Sequence, residues 1–86
     1  MASYRIEWKR SAVKELQSLP PEVVRRILSV VERLADSPAP HGAIKLTGFE
    51  QTYRVRVGDY RIVYSIYQVQ LVIEIVRVAH RRDVYR

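Results

Sequence analysis

The run Tyr53-Arg54-Val55-Arg56-Val57-Gly58-Asp59-Tyr60-Arg61-Ile62-Val63-Tyr64-Ser65-Ile66-Tyr67 decides how this chain folds. From Tyr53 to Val57, apolar and cationic side chains alternate at period two, the pattern of a half-buried strand. Gly58-Asp59 suits a two-residue turn with a positive φ at the glycine, and Tyr60 to Tyr67 reads as the return strand. Such a turn fixes the register. Val57 then faces Tyr60, Arg56 faces Arg61, Val55 faces Ile62 and Tyr53 faces Tyr64. Tyr53, Val55, Val57, Tyr60, Ile62 and Tyr64 share a core face, and Arg54, Arg56 and Arg61 share the other. Like charges directly opposite on a ladder cost up to about 1 kcal/mol. A chain selected only to fold would gain by losing one of Arg56 and Arg61, so the arginine face is expected to meet a polyanion.

Downstream, a two-residue turn at Gln68-Val69 pairs Ile66 with Leu71, Tyr64 with Ile73 and Ile62 with Ile75. Leu71, Ile73 and Ile75 extend the apolar face. Val72, Glu74 and Val76 fall on the arginine face, with Glu74 a partner for a neighbouring arginine. Strict alternation beyond Val76 puts His80 and Arg82 on that face and Arg81 behind it.

Upstream, Tyr4-Arg5-Ile6-Glu7-Trp8 alternates and reads as a first strand. Trp8, at a strand end before a helix, is a core anchor more often than a base-stacking platform. A short helix runs from about Lys9 to Ser18, with Ala12, Leu16 and Leu19 on one face. Pro20-Pro21 interrupts it, and Pro21 suits the first position of a new helix, where no N–H is needed. From Pro21 to about Asp36, Val24, Ile27, Leu28, Val31, Leu34 and Ala35 fall at helical spacing. Arg25, Arg26, Glu32 and Arg33 are left for solvent. Ser37-Pro38 closes the helix, because the residue before a proline disfavours helical geometry. A loop follows to Gly48. Within it Lys45-Leu46-Thr47-Gly48 forms a short ordered stretch, Leu46 pinning it to the core and Lys45 near the phosphate path. His41, a loop histidine, is given no role.

The order is strand, helix, helix, three antiparallel strands and a short basic end. That is an α+β fold of two layers in a single domain, 1–86, with both helices on one sheet face and the arginine face open.

Composition bounds the function. At 86 residues, 48% hydrophobic and 28% charged, the chain has the balance of one small globular domain. It has no cysteine, hence neither a disulfide frame nor a thiolate metal site. The two histidines, His41 and His80, stand apart from any carboxylate cluster, so no metal is expected. No secretory signal is visible. The apolar stretch Leu71 to Ala79 is broken by Glu74 and Arg77 and is too short for a membrane span. A soluble cytoplasmic domain without a membrane partner is therefore expected. The net charge of +6, with pI near 10.1, points to an acidic partner. Arginine dominates near the strands, and its planar fork suits bidentate phosphate contacts.

Three segments, Tyr53 to Val57, Gly58 to Tyr64 and Val78-Ala79-His80-Arg81-Arg82-Asp83-Val84-Tyr85, together resemble the RelE/ParE superfamily of toxin–antitoxin toxins. The resemblance spans nearly the whole chain, the helical hairpin and Lys45-Leu46-Thr47-Gly48 included. It implies a RelE-like fold, and in the RelE branch a small, cofactor-free, metal-independent endoribonuclease. Such toxins cut mRNA in the ribosomal A site and are held in check by a RelB-like antitoxin.

By position, the family's basic catalytic residues fall on Arg54, Arg56, Arg61 and Arg81, and its C-terminal aromatic residue on Tyr85. In the best-known RelE pattern the first two are lysines, and a lysine stands where this chain has His80. Arginine stays charged at any useful pH, so Arg56 makes a poor general base. The resemblance implies that a ribose 2′-OH attacks the adjacent phosphate while arginines stabilise the growing charge. Arg61 and Arg81 are assigned to the phosphate, Arg54 and Arg56 to backbone binding and charge. His80 is the acid–base candidate, with a surface histidine of no role as the alternative. Tyr85 would stack on a base or supply a hydroxyl. Lys45 and Arg82 are RNA-binding candidates. In the ParE branch the same fold poisons DNA gyrase without catalysis. The basic fan with His80, Arg81 and Tyr85, which ParE-type members generally lack, favours the nuclease over that alternative and over a non-catalytic RNA-binding module.

Overall fold

The computed structural model describes residues 3–40, 42–48 and 51–83. In chain order it contains β1 (Arg5–Trp8), α1 (Arg10–Gln17), α2 (Pro21–Asp36), β2 (Ile44–Lys45), β3 (Thr52–Val57), β4 (Tyr60–Tyr67) and β5 (Val72–His80). The strands make one sheet in the order β1-β5-β4-β3-β2. β1 runs parallel to β5, and the other pairs are antiparallel. The long connection that a parallel pair requires runs from β1 through both helices and then β2, β3 and β4 before β5 returns beside β1.

The β3–β4 hairpin has the register its sequence dictates: Val57 opposite Tyr60, Arg56 opposite Arg61, Val55 opposite Ile62, Tyr53 opposite Tyr64. Gly58 takes φ +58°, and Asp59 is not in the positive-φ region. That is the pattern of a turn with glycine at its first central position.

One sheet face carries the core. Val55, Val57, Ile62, Tyr64, Ile66, Ile73, Ile75 and Val78 pack there against Ala12 of α1 and Ile27, Val31 and Leu34 of α2. The three α2 residues lie at i, i+4 and i+7, one stripe of a helix. Leu28, expected on that stripe, is 39% exposed, while Val23 and Val30 pack on the cluster instead. The stripe is therefore rotated slightly from the one read in the sequence. Trp8 packs against the core as an anchor. Tyr64 is fully buried, and its hydroxyl donates to the Pro38 carbonyl at 2.7 Å. This bond ties the loop after α2 to the centre of the sheet and satisfies a buried O–H.

The second hairpin differs from its sequence reading. Tyr67 pairs with Val72, Ile66 with Ile73 and Tyr64 with Ile75, so residues 68–71 all belong to the turn. Leu71 sits there at φ +56° and 39% exposed, not on the apolar face. Further along, Val63 pairs with Arg77 and Ile62 with Val78, leaving Val76 as an extra residue. This bulge reverses the alternation of everything after it.

Candidate functional site

The sheet face away from the helices carries the arginines. Arg54 lies opposite Val63, Arg56 opposite Arg61, and Arg61 opposite Ala79 on β5. The Arg81 N–H donates to the Asp59 carbonyl at 2.7 Å, which extends the ladder by one step and sets Arg81 on the same face as Ala79 and Arg61. Val63 and Ala79, with Leu46 and Val76 packed against them, make a small apolar floor beneath the cations. A hollow of about 380 Å³ opens beside Arg54, Arg56 and Arg61.

Backbone carbonyls hold two members of the fan. The Arg56 Nε and Arg61 Nη1 groups each donate to the Gly58 carbonyl at 3.4 Å, and Arg61 Nη1 also donates to the Tyr60 carbonyl at 3.1 Å. Partial burial of the Arg61 guanidinium pushes its pKa below the ordinary arginine value. Arg56, Arg54 and Arg81 push it the same way by repulsion, and Asp59 opposes them. Arg54, Arg56 and Arg81 thus lie close enough to Arg61 for their charges to oppose its own, and Arg56 and Arg81 remain exposed.

The other candidates are distributed differently. Alternation had put His80 on the arginine face and Arg81 behind it, and the bulge at Val76 exchanges the two. The His80 ring meets the edge of Tyr60, which packs on the core side, with centroids 5.4 Å apart. Its Nδ1 accepts the Arg82 N–H at 3.3 Å. Arg82 stands exposed in a turn closed by the Asp83 N–H donating to the His80 carbonyl. Lys45 pairs with Tyr53 and so has core-face parity. It lines a hollow with Gln51, Tyr53, Ile66, Gln68, Val69 and Gln70, away from the phosphate path assigned to it. Glu74 accepts from the Tyr67 hydroxyl at 3.4 Å, not from an arginine. Tyr85 and His41 lie outside the described residues.

Two features of the site escaped the sequence reading. One is the turn carbonyls of Gly58 and Asp59 as acceptors. The other is Glu15 of α1, whose carboxylate accepts the Val78 N–H at 2.9 Å and Arg77 Nε at 3.2 Å. A signal for the bulge existed: strict alternation after Ile73 and Ile75 would have sent Arg77 beneath the helices.

Among the described residues no three His, Cys, Asp or Glu side chains gather as a metal site would need. No helix there is long and apolar enough to cross a membrane.

Residues 6–85 match the family model described as the ParE toxin of the type II toxin–antitoxin system parDE. The chain belongs to the ParE/RelE toxin family. Its relatives include the toxin RelE of Mycobacterium tuberculosis, 30% identical over 96% of this chain and 87% of that protein. Toxin RelG of the same organism is 29% identical, covering 96% of this chain and 97% of its own length. Among solved structures, the archaeal RelE–RelB complex of Pyrococcus horikoshii superposes with a TM-score of 0.83 at 37% identity. It covers 95% of this chain and 99% of that one. This RelE-like toxin of a type II toxin–antitoxin system therefore has the α+β fold of its relatives, and its cationic face is the feature to be explained.

Proposed function

We propose that this RelE-like toxin is a ribosome-dependent endoribonuclease that cleaves mRNA in the A site without a metal. The observation that carries the reading is the gathering of Arg54, Arg56, Arg61 and Arg81 on one accessible face, with Arg56 and Arg61 held against backbone carbonyls. The ribose 2′-OH attacks the adjacent phosphorus and its proton passes to water. A cyclic phosphate forms as the P–O5′ bond breaks, and the 5′-oxygen takes up a proton from water. Arg61 and Arg81 hold the scissile phosphate, while Arg54 and Arg56 bind the flanking backbone and stabilise the charge on the phosphoryl oxygens. Guanidinium groups stay protonated throughout, so the site supplies charge and position more than proton transfer. Such a site gains most from substrate geometry imposed from outside, which fits dependence on the ribosome.

His80 is given no proton-transfer role, because its ring lies against Tyr60 on the other face. Arg82 is left with backbone binding alone. Tyr85 keeps the base-stacking role that family resemblance suggests. The partner is a RelB-like antitoxin acting in the cytoplasm. The RelE–RelB complexes of related toxins support that assignment, as does the attraction of clustered arginines for carboxylates.

A second reading, inhibition of DNA gyrase by protein contact, draws on the match to the ParE family model. One experiment separates the two. Transcript 5′ ends are mapped against the reading frame after induction, with a gyrase supercoiling assay alongside. Frame-linked cuts that vanish with Arg61→Ala and Arg81→Ala support the nuclease. Intact transcripts with inhibited supercoiling overturn it.

A further inference from the structure

We infer that Glu15, on the helix layer, is a positioning residue for the cationic site, acting through β5 on Arg81. The inference rests on the nuclease reading above for its kinetic consequences, though not for its geometry. β1 ends at Trp8, opposite Ile75, and the Lys9 N–H closes that pairing on the Ile75 carbonyl at 3.0 Å. Past this point no strand among the described residues neighbours the outer edge of β5, and α1 lies there instead. The extra residue, Val76, falls at the same place. A bulge exposes backbone donors that an edge strand cannot satisfy by itself. Glu15 meets that need with one oxygen and holds a neighbouring side chain with the other. One accepts the Val78 N–H at 2.9 Å, and the other accepts Arg77 Nε at 3.2 Å.

This clamp decides which side chains reach the site. With the bulge in place Val78 turns inward, 1% exposed, and Ala79 turns to the arginine side. Arg81 then docks through its N–H on the Asp59 carbonyl, beside Arg61. Were β5 to run on without the bulge, Ile62 would meet Arg77 and Asp59 would meet His80. The core would receive a guanidinium, and the fan would exchange an arginine for a histidine. Arg77, drawn outward by Glu15, is kept from that position. The carboxylate is partly buried, and its partners, the Val78 N–H and Arg77 Nε, are not among the groups assigned to the substrate.

The test uses the full-length toxin on programmed ribosomes, with amide hydrogen exchange as a readout independent of activity. Glu15→Ala should lower kcat by at least about tenfold, part of the loss expected when a charge-stabilising donor is misplaced, with little change in KM. The Arg81 amide should lose its protection. Glu15→Gln keeps an acceptor for Val78 and should retain both. In an Arg81→Ala background, Glu15→Ala should change cleavage by no more than roughly twofold, the scatter of uncoupled substitutions. A full additional loss there, or retained Arg81 protection in Glu15→Ala, overturns the inference. If the wild type does not cleave, the nuclease reading has failed and the exchange data alone decide the role of Glu15. If Arg81→Ala cleaves like the wild type, Arg81 is not part of the site and the inference is overturned. Deleting Val76 returns the strand to regular alternation with Arg81 still outward. In that background Glu15→Ala should leave Arg81 protected even if it does not fold alone. Unfolding or lost protection there counts against the inference.

Discussion

Arg56 and Arg61 stand directly opposite each other across the β3–β4 ladder and donate to the same acceptor, the Gly58 carbonyl, each at 3.4 Å. One backbone oxygen cannot neutralise two guanidinium charges, so the pair is held together against its own repulsion. This is stability given up for a preorganised cationic surface.

Arg56→Thr should therefore stabilise the isolated toxin, by several tenths to about 1 kcal/mol, while lowering mRNA cleavage by about 100- to 1,000-fold. Urea denaturation and ribosome cleavage assays on the same preparations check both halves. A destabilised Arg56→Thr would mean that the pair is not under repulsion.

Each phosphate-binding arginine should also appear in the salt dependence of RNA binding. For single strands the slope of log K against log salt should fall by about 0.7 for each contact removed. Arg54→Ala and Arg61→Ala should each show that decrement, and Lys45→Ala, on the other face, should not. Filter binding across a salt series gives the slopes.

His80→Gln should cost less than the roughly 100-fold typical of a lost general acid or base, and the pH dependence of cleavage should match the wild type. A histidine-dependent inflection that disappears in the variant would return His80 to the chemistry.

Gly58 combines a φ of +58° with a Cβ position 2.9 Å from Arg26 Nη2. The Arg26 side chain can move aside, so the backbone conformation sets the cost. Gly58→Ala should destabilise by about 1–2 kcal/mol, which for a domain of this size lowers Tm by about 4–8 °C per kcal/mol. Calorimetry provides the measurement. Cleavage should fall as well, because the carbonyl that orients Arg56 and Arg61 belongs to the residue the substitution strains.

Burial, and to a lesser extent Tyr53, push the Tyr64 phenol up to about 12 from 10.0. The folded state then holds its proton where the unfolded chain has lost it. This contribution is fully present below pH 10 and is lost as pH rises from about 10 through 12. Tyr64→Phe should lack that extra decline, and at neutral pH it should lose about 1–3 kcal/mol with the Pro38 carbonyl left unsatisfied. Denaturant midpoints of the two proteins, compared from pH 8 to about pH 12, separate these effects.

The hairpin was legible because its determinants are local: alternating side chains, and a glycine-led turn two residues long. Pro21 and the spacing of Ile27, Val31 and Leu34 made α2 equally plain. The second hairpin was not, since Gln68-Val69-Gln70-Leu71 contains no residue that announces a turn and Leu71 adopts its positive φ without being a glycine or asparagine. The arginine fan was readable in part. Arg54, Arg56 and Arg61 are arranged by one register, whereas Arg81 arrives through a bulge whose stabilising partner, Glu15, lies about sixty positions earlier. Periodicity along a strand carries no record of what supports its edge.

The turn at residues 68–71 has a practical use. Val69 is 92% exposed at one end of β4, and the arginine fan gathers about the turn at the other end. The intervening eight-residue strand spans roughly 27 Å at about 3.4 Å per residue. Because the chain contains no cysteine, Val69→Cys would introduce a unique thiol. A fluorophore attached there would track the toxin's encounters in real time from the end of the sheet opposite the Gly58 turn.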